Sequence, residues 1–205
     1  YGPVSPETIG YWPGAVEIGY YYDLEQAREL MGAAGYERNV DGWFVDDDGT
    51  PLSFKLLLPT MDETLRFQVL ADLLVDAYEE MGVQIEVLRV TDERELIALL
   101  VVEDAYHIAL FGITWPEATF LLTYSFYSSG GLNASQISDD ELDNLLVSSK
   151  IAVDLEDAQN LLNEAQRRII EQAYLVPLYT PEEIYAISSD INGVLWTNAS
   201  DLMWL

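Results

Sequence analysis

The sequence predicts an α/β fold in which covering helices pack on a mixed sheet. Half of the 205 residues are apolar, enough to bury a sizeable core. None of that apolar content is gathered into a run of 18 or more, so it is destined for a core and not for a membrane-spanning helix. The middle of the chain alternates segments of strand period with segments of helix period, the pattern of a layered α/β sheet.

Residues 1–22, YGPVSPETIGYWPGAVEIGYYY, are rich in Pro, Gly and Tyr without a clean period, and read as an extended opening segment. DLEQARELMGAAGY predicts a helix: Asp23 is its N-cap with Gln26 three residues on, Leu24, Ala27, Leu30, Met31 and Ala34 form one face, and Gly35 stops it. GWFVDDDGTPLSFKLLLP reads as a β-hairpin turning at Asp48-Gly49. MDETLRFQVLADLLVDAYEEMG is a long amphipathic helix ended by Gly82. VQIEVLRV alternates Val83, Ile85 and Val87 with polar partners, as a strand does. TDERELIALLV begins a shorter helix, with Thr91 as N-cap and acidic residues in the first turn, and AYHIALFGI is the next strand.

Beyond residue 125 the chain turns helical. SDDELDNLLVSSKI opens with a capping box of Ser138 and Glu141. A last helix opens at Asp154, with Leu155, Ala158, Leu161, Leu162, Ala165 and Ile169 on its apolar face. LVPLYTPEEIYAISSDI reads as two short β runs around Thr180-Pro181. No internal repeat divides the chain, which reads as one domain with extended arms at both ends.

Charge narrows the function. Thirty-six acidic residues face nine basic ones, of which only Lys55 and Lys150 are lysines, and the formal net charge is −27. Nucleic acid and anionic membrane surfaces are repelled by such a chain. The balance fits a strongly solvated acidic surface, or a surface adapted to high salt, where screening makes self-repulsion tolerable; metal storage is a third reading. Without Cys there are no disulfides and no thiolate metal sites. The start at Tyr1, with no initiator Met or basic leader, reads as a processed or excised piece.

Catalytic and metal motifs are missing. The DDDG of residues 46–49 fails as a calcium loop, because Phe44 and Lys55 stand where that loop needs acids, and a hairpin turn accounts for it. His107 is the single histidine, with no nucleophile motif or second His beside it, and reads as a structural strand residue. A carboxylate pair suited to glycoside hydrolysis has no identifiable position among so many acids. No cofactor or metal is therefore expected. The stretch GITWPEATFLL is different. Trp115 at the end of a strand, followed by Pro116 at a helix N1 position, presents an aromatic face and helix N–H groups where open α/β sheets bind ligands. TYSFYSSGGLNAS behind it, with Tyr127 and Asn133, is a small polar loop of the kind that lines a site.

Taken in order, seven segments resemble the C-terminal half of the bacterial extracellular solute-binding proteins of family 5, the dipeptide, oligopeptide and nickel binders of ABC importers. They are YGPVSP, YDLEQARELMGAAGY, DGTPLSFKLLLPT, LADLLVDAYEEMGVQIEV, GITWPEATFLL, NASQISDDELDNLL and EAQRRIIEQAYLVPLYTPEEIYAI. The resemblance implies a two-lobed periplasmic-binding-protein fold of type II, of which this chain supplies the C-terminal lobe. Residues 23–188 would be the lobe, 1–22 its opening segment, and 189–205 an arm returning toward an N-terminal lobe of the same parent chain. It further implies an extracytoplasmic receptor, periplasmic or lipid-anchored, that captures a peptide or oligosaccharide-like solute in the interlobe cleft and delivers it to a membrane permease.

The resemblance makes Thr114, Trp115 and Pro116 the turn that faces the cleft. Thr60, Glu117, Tyr127 and Asn133 complete the candidate ligand-binding set. In peptide-binding members an Asp in that turn pairs with the ligand's terminal ammonium; here the turn is two residues shorter and Thr114 stands in the Asp's place. His107 replaces the family's usual Asp in the preceding strand. A hydroxyl supplies no Coulomb attraction to an ammonium, so either Glu117 takes that role or the ligand carries no ammonium. An oligosaccharide stacked on Trp115 satisfies the second option. The competing classes are a carboxylate-based hydrolase on an α/β scaffold and a structural or adhesive surface domain.

Overall fold

The computed structural model describes residues 2–60, 65–101, 105–113, 115–180, 186–188, 190, 194–196 and 202–204. In chain order the helices are α1 (Ala15–Ile18), α2 (Leu24–Ala33), α3 (Leu65–Met81), α4 (Glu93–Leu100), α5 (Ala118–Phe126), α6 (Asp140–Ile151) and α7 (Leu155–Glu171). The strands are β1 (Glu37–Arg38), β2 (Phe44–Val45), β3 (Ser53–Pro59), β4 (Gln84–Val90), β5 (Ile108–Ala109), β6 (Val194–Trp196) and β7 (Leu202–Trp204). They fall into two compact units, Tyr21–Gly112 and Tyr1–Tyr20 with Ile113–Leu205.

The unit of residues 21–112 is built on a parallel sheet of order β4-β3-β5. Its central strand carries Leu56, Leu57 and Leu58 in succession, all buried, because a parallel strand flanked on both edges is covered on both faces. Ala71 of α3, with Phe67, Leu70 and Leu74, packs on Leu56, Leu58 and Leu110. A second cluster joins Phe44, Met81 and Val83 to Leu24, Ala27 and Met31 of α2, three of the five residues read as its apolar face; Leu30 and Ala34 are exposed. Asp23 caps α2 as expected, its carboxylate accepting the Glu25 and Gln26 N–H groups at 3.0 Å.

Two expectations in this unit need correction. The turn at Asp48-Gly49 forms, with Gly49 at φ +81° and the Asp46 N–H donating to the Thr50 carbonyl at 2.9 Å. Its two arms do not make a full hairpin: they meet at the Val45–Pro51 bridge, after which β2 pairs with β1 and β3 enters the parallel sheet. Three successive leucines need cover on both faces, which a two-stranded hairpin lacks. The N-cap of α4 is Asp92, not Thr91; its carboxylate accepts the Arg94 and Glu95 N–H groups at 3.0 Å. His107 is structural, as read: Nδ1 accepts the Lys55 N–H at 2.9 Å and the ring stacks on Phe54 at 5.3 Å.

In the other unit α5, α6 and α7 enclose a core of Leu121, Leu122, Phe126, Leu142, Leu146, Leu162, Ala165 and Ile169, joined by Val4. Helix α5 corrects the expectation of a loop from Thr123 onward. It is apolar nearly all round, so no periodic stripe marks it, and its cap at Glu117 is a less favoured residue type. Helix α6 is capped by Asp139 and not by Ser138. Asp154 caps α7 as read, but Leu155 is exposed instead of facing the core. Residues 175–180 carry no strand in place of the expected β run, since an extended segment becomes a strand only when a partner edge reaches it. The second run of that pair begins at 181–185, outside the described residues. Strands β6 and β7 pair antiparallel.

Candidate functional site

The turn into α5 is held by the opening segment. Ile9 donates its N–H to the Pro116 carbonyl at 3.2 Å and accepts the Ala118 N–H at 2.8 Å, a parallel bridge onto Glu117. The buried Thr8 hydroxyl donates to the Trp115 carbonyl at 3.3 Å. Gly10, at φ +91°, lets the two backbones close up, because a Cβ there would lie 2.8 Å from the Ala118 Cβ. The Gly10 carbonyl in turn accepts from the buried Gln166 amide of α7 at 3.0 Å.

Glu117 caps α5 with both carboxylate oxygens, accepting the Thr119 N–H at 2.7 Å and the Phe120 N–H at 2.9 Å. Pro116 therefore precedes the cap and does not occupy N1, and these two N–H groups of the helix start are spoken for. Geometry of this kind makes Glu117 a helix cap first. Thr114 lies outside the described residues.

Trp115 is 40% exposed and belongs to a group of three aromatic rings. Its ring stacks on Phe120 at 4.7 Å and 13°, Phe120 stacks on Tyr124 at 5.6 Å and 21°, and Trp115 lies 6.3 Å from Tyr124 at 30°. The Trp115–Tyr124 distance is far below the other two added together, so the rings form a triangular platform and not a column. Phe120 and Tyr124 are 44% and 38% exposed. Offset stacking of near-parallel rings is favourable in itself, and it leaves aromatic surface free for another flat apolar group. Sequence reasoning found Trp115 and missed the other two. Their spacing of four residues was the available signal, readable only once the segment is known to be helical.

At the far end of α5 the loop folds back on the platform. Gly131 packs against the Tyr124 ring so closely that a Cβ there would lie 2.4 Å from it. Tyr127 is half-buried against the helical core. Asn133 staples the loop: its Nδ2 donates to the Ser128 carbonyl at 3.2 Å and the Ile137 carbonyl at 2.8 Å, and its Oδ1 accepts the Ile137 N–H at 2.9 Å. Both amide donors are used, so Asn133 shapes the loop. Thr60 sits in the other unit, just past β3, with its N–H and hydroxyl both donating to the Val90 carbonyl at 2.8 and 3.1 Å. The structure thus gathers Trp115, Glu117, Tyr127 and Asn133 around one helix, with Thr60 on a separate unit.

The strongest electrostatic feature lies beneath this loop. Asp139 is buried, accepts the Glu141 and Leu142 N–H groups at 3.0 and 3.1 Å, and receives Arg168 Nε at 2.6 Å and the Tyr174 hydroxyl at 2.9 Å. Burial pushes its carboxyl up, but the Arg168, Leu142 and Tyr174 hydrogen bonds outweigh it and hold the group at about 2. Burial, then the bond to Asp139, raises Tyr174. The set joins α6 to α7 and fixes where the loop begins and ends. Among the described residues no group of three or more His, Cys, Asp or Glu is placed to hold a metal ion, and no helix is long and apolar enough to cross a membrane.

No protein-family model matches the chain, and no curated protein sequence matches it. Solved structures do. NikZ from Campylobacter jejuni, in complex with Ni(L-His), superposes with a TM-score of 0.64 at 24% identity, over 76% of this chain and 31% of that one. A nickel ABC transporter protein from Bacillus halodurans gives 0.67 at 21% identity, over 84% and 35%. The oligopeptide-binding protein AppA from Bacillus subtilis, in complex with a nonapeptide, gives 0.68 at 20% identity, over 85% and 34%. This chain spans about a third of the length of these structures and has the α/β periplasmic-binding-protein fold, with parallel and antiparallel pairing in separate sheets.

Proposed function

We propose that this chain is the C-terminal lobe of a solute receptor that serves an ABC importer. The carrying observation is the likeness, over 76–85% of the chain, to proteins that bind nickel–histidine or a peptide. Residues 23–188 form the lobe in this reading, 1–22 and 189–205 are its arms, and the N-terminal lobe belongs to the same parent chain. The receptor works outside the cytoplasmic membrane, closing its lobes around solute and then docking to a permease. Among the described residues the one strongly shifted carboxylate gives the hydrolase reading no support, since Asp139 is held low while a general acid needs to be held high.

Solute meets this lobe at the Trp115–Phe120–Tyr124 platform. Both Glu117 oxygens hold helix N–H groups, so the carboxylate is fixed at the cap and does not swing out to meet a terminal ammonium, and burying an unpaired charge costs several kcal/mol. A neutral ligand with a flat apolar face, such as an oligosaccharide, avoids that cost; a peptide must anchor its ammonium elsewhere. Calorimetry on the full-length parent with free peptides, N-acetylated peptides and neutral oligosaccharides separates the two. Loss of sugar binding in Trp115→Ala, with Glu117→Gln binding normally, is the expected result. Tight binding of free peptides, abolished both by acetylation and by Glu117→Gln, overturns it. The 205-residue chain alone should bind more weakly than micromolar, because half of the contacts lie on the other lobe.

A further inference from the structure

Helices α6 and α7 meet at a tight elbow that holds a run of exposed aliphatic side chains. Val153 and Leu155 are 102% and 87% exposed, Ile151 is 74% exposed and Val147 43%. Asp154 explains the geometry: its carboxylate caps α7, accepting the Glu156 N–H at 2.8 Å and the Asp157 N–H at 3.2 Å, which leaves the residues on either side pointing outward. Beside the elbow the two antiparallel helices enclose an open groove of about 450 Å³, lined by Ile151, Ala152 and Leu161 with Ser148 and Asn160. Four aliphatic side chains are held in water within nine residues, and exposed apolar clusters mark interaction sites.

The rim of this cluster is acidic. Asp157 lines the groove and Asp154 and Glu156 flank it along the chain; Glu164 also lines it but is paired with Arg167 at 3.4 Å, and Lys150 is the one cation between residues 147 and 164. We propose that the elbow is a docking surface for a partner protein that presents an amphipathic helix, aliphatic on one face and flanked by Lys or Arg. A groove between two antiparallel helices has the shape that receives a third helix, ridge into groove. The acidic rim selects a basic flank. A second copy of this chain brings an identical acidic rim and a charge of −27, so like charges meet; an anionic lipid surface is repelled for the same reason. The proposal stands independently of the solute-binding reading.

The test uses a fluorescein-labelled peptide of about 15 residues, the length at which an isolated helix becomes viable, with leucines at helical spacing and lysines between. A scrambled peptide of the same composition controls for attraction to net charge. Anisotropy titrations of the chain at about 0.15 M salt should show binding that weakens about tenfold or more, roughly 1.4 kcal/mol, on scrambling and in Val153→Ser/Leu155→Ser. Glu156→Gln/Asp157→Asn should flatten the salt dependence. Val153→Ser alone, at a fully exposed position, serves if the double variant loses helix by circular dichroism. Equal binding of both peptides, no binding of either, or wild-type affinity in the serine variants overturns the proposal. So does a dimer in gel filtration that the serine variants abolish, or co-sedimentation of the chain with phosphatidylglycerol vesicles.

Discussion

Replacing Asp139 by Asn removes one charge from the base of the helical unit while keeping an oxygen that can still cap α6. The side chain is 5% exposed and the Arg168 side chain facing it 26%, so water screens the pair only partly. A tenfold change in proton affinity is worth about 1.4 kcal/mol, so holding the carboxyl at about 2 instead of an ordinary 3.8 contributes about 2.5 kcal/mol at neutral pH. The folded state lowers this pKa. Its contribution is therefore fully present above pH 3.8 and is lost as the pH falls toward 2. Urea unfolding followed by circular dichroism, on wild type and Asp139→Asn in parallel, reads the difference while the remaining carboxylates cancel. The expected gap is about 2–3 kcal/mol at pH 7, shrinking steadily below pH 4. A gap that stays constant from pH 7 to pH 3, or one below about 0.5 kcal/mol throughout, would refute the account of Asp139 as a charged tie between α6 and α7.

Adding sodium chloride to a few tenths molar should raise the urea midpoint of the wild-type chain, because a net charge of −27 repels itself and the Debye length falls from about 10 Å at 0.1 M to about 3 Å at 1 M; a flat or falling midpoint counts against this. Asn133→Ala removes three hydrogen bonds and should cost about 2–3 kcal/mol, with faster amide exchange confined to residues 128–137; protection as in wild type contradicts the staple. Gly131→Ala should push the Tyr124 ring off its seat and alter the Trp115 emission, while Ala substitution at Gly32, which meets nothing within 4 Å, should leave it unchanged.

Local chemistry was legible from the residues alone. Asp23 and Asp154 cap their helices, Gly49 makes its turn, and Gly82 ends α3, because a cap or turn is decided by atoms within about four residues along the chain. The alternation of strand and helix periods carried the α/β class for the same reason. At Ser138-Asp139, where either residue could cap, distant partners favour one. Asp139 prevails over Ser138 with Arg168 and Tyr174, 29 and 35 residues on, bound to the same carboxylate. The pairing of β3 with β4 and β5 depends on segments that no turn dictates. Helix α5 lacks a polar face, so periodicity is silent there, and with it went Phe120 and Tyr124. Glu117 and Asn133 could be named as polar groups near Trp115, but only folded geometry showed their oxygens and nitrogens already taken. A sequence states which groups a residue carries; whether those groups remain free is set by partners that meet only when the chain has folded.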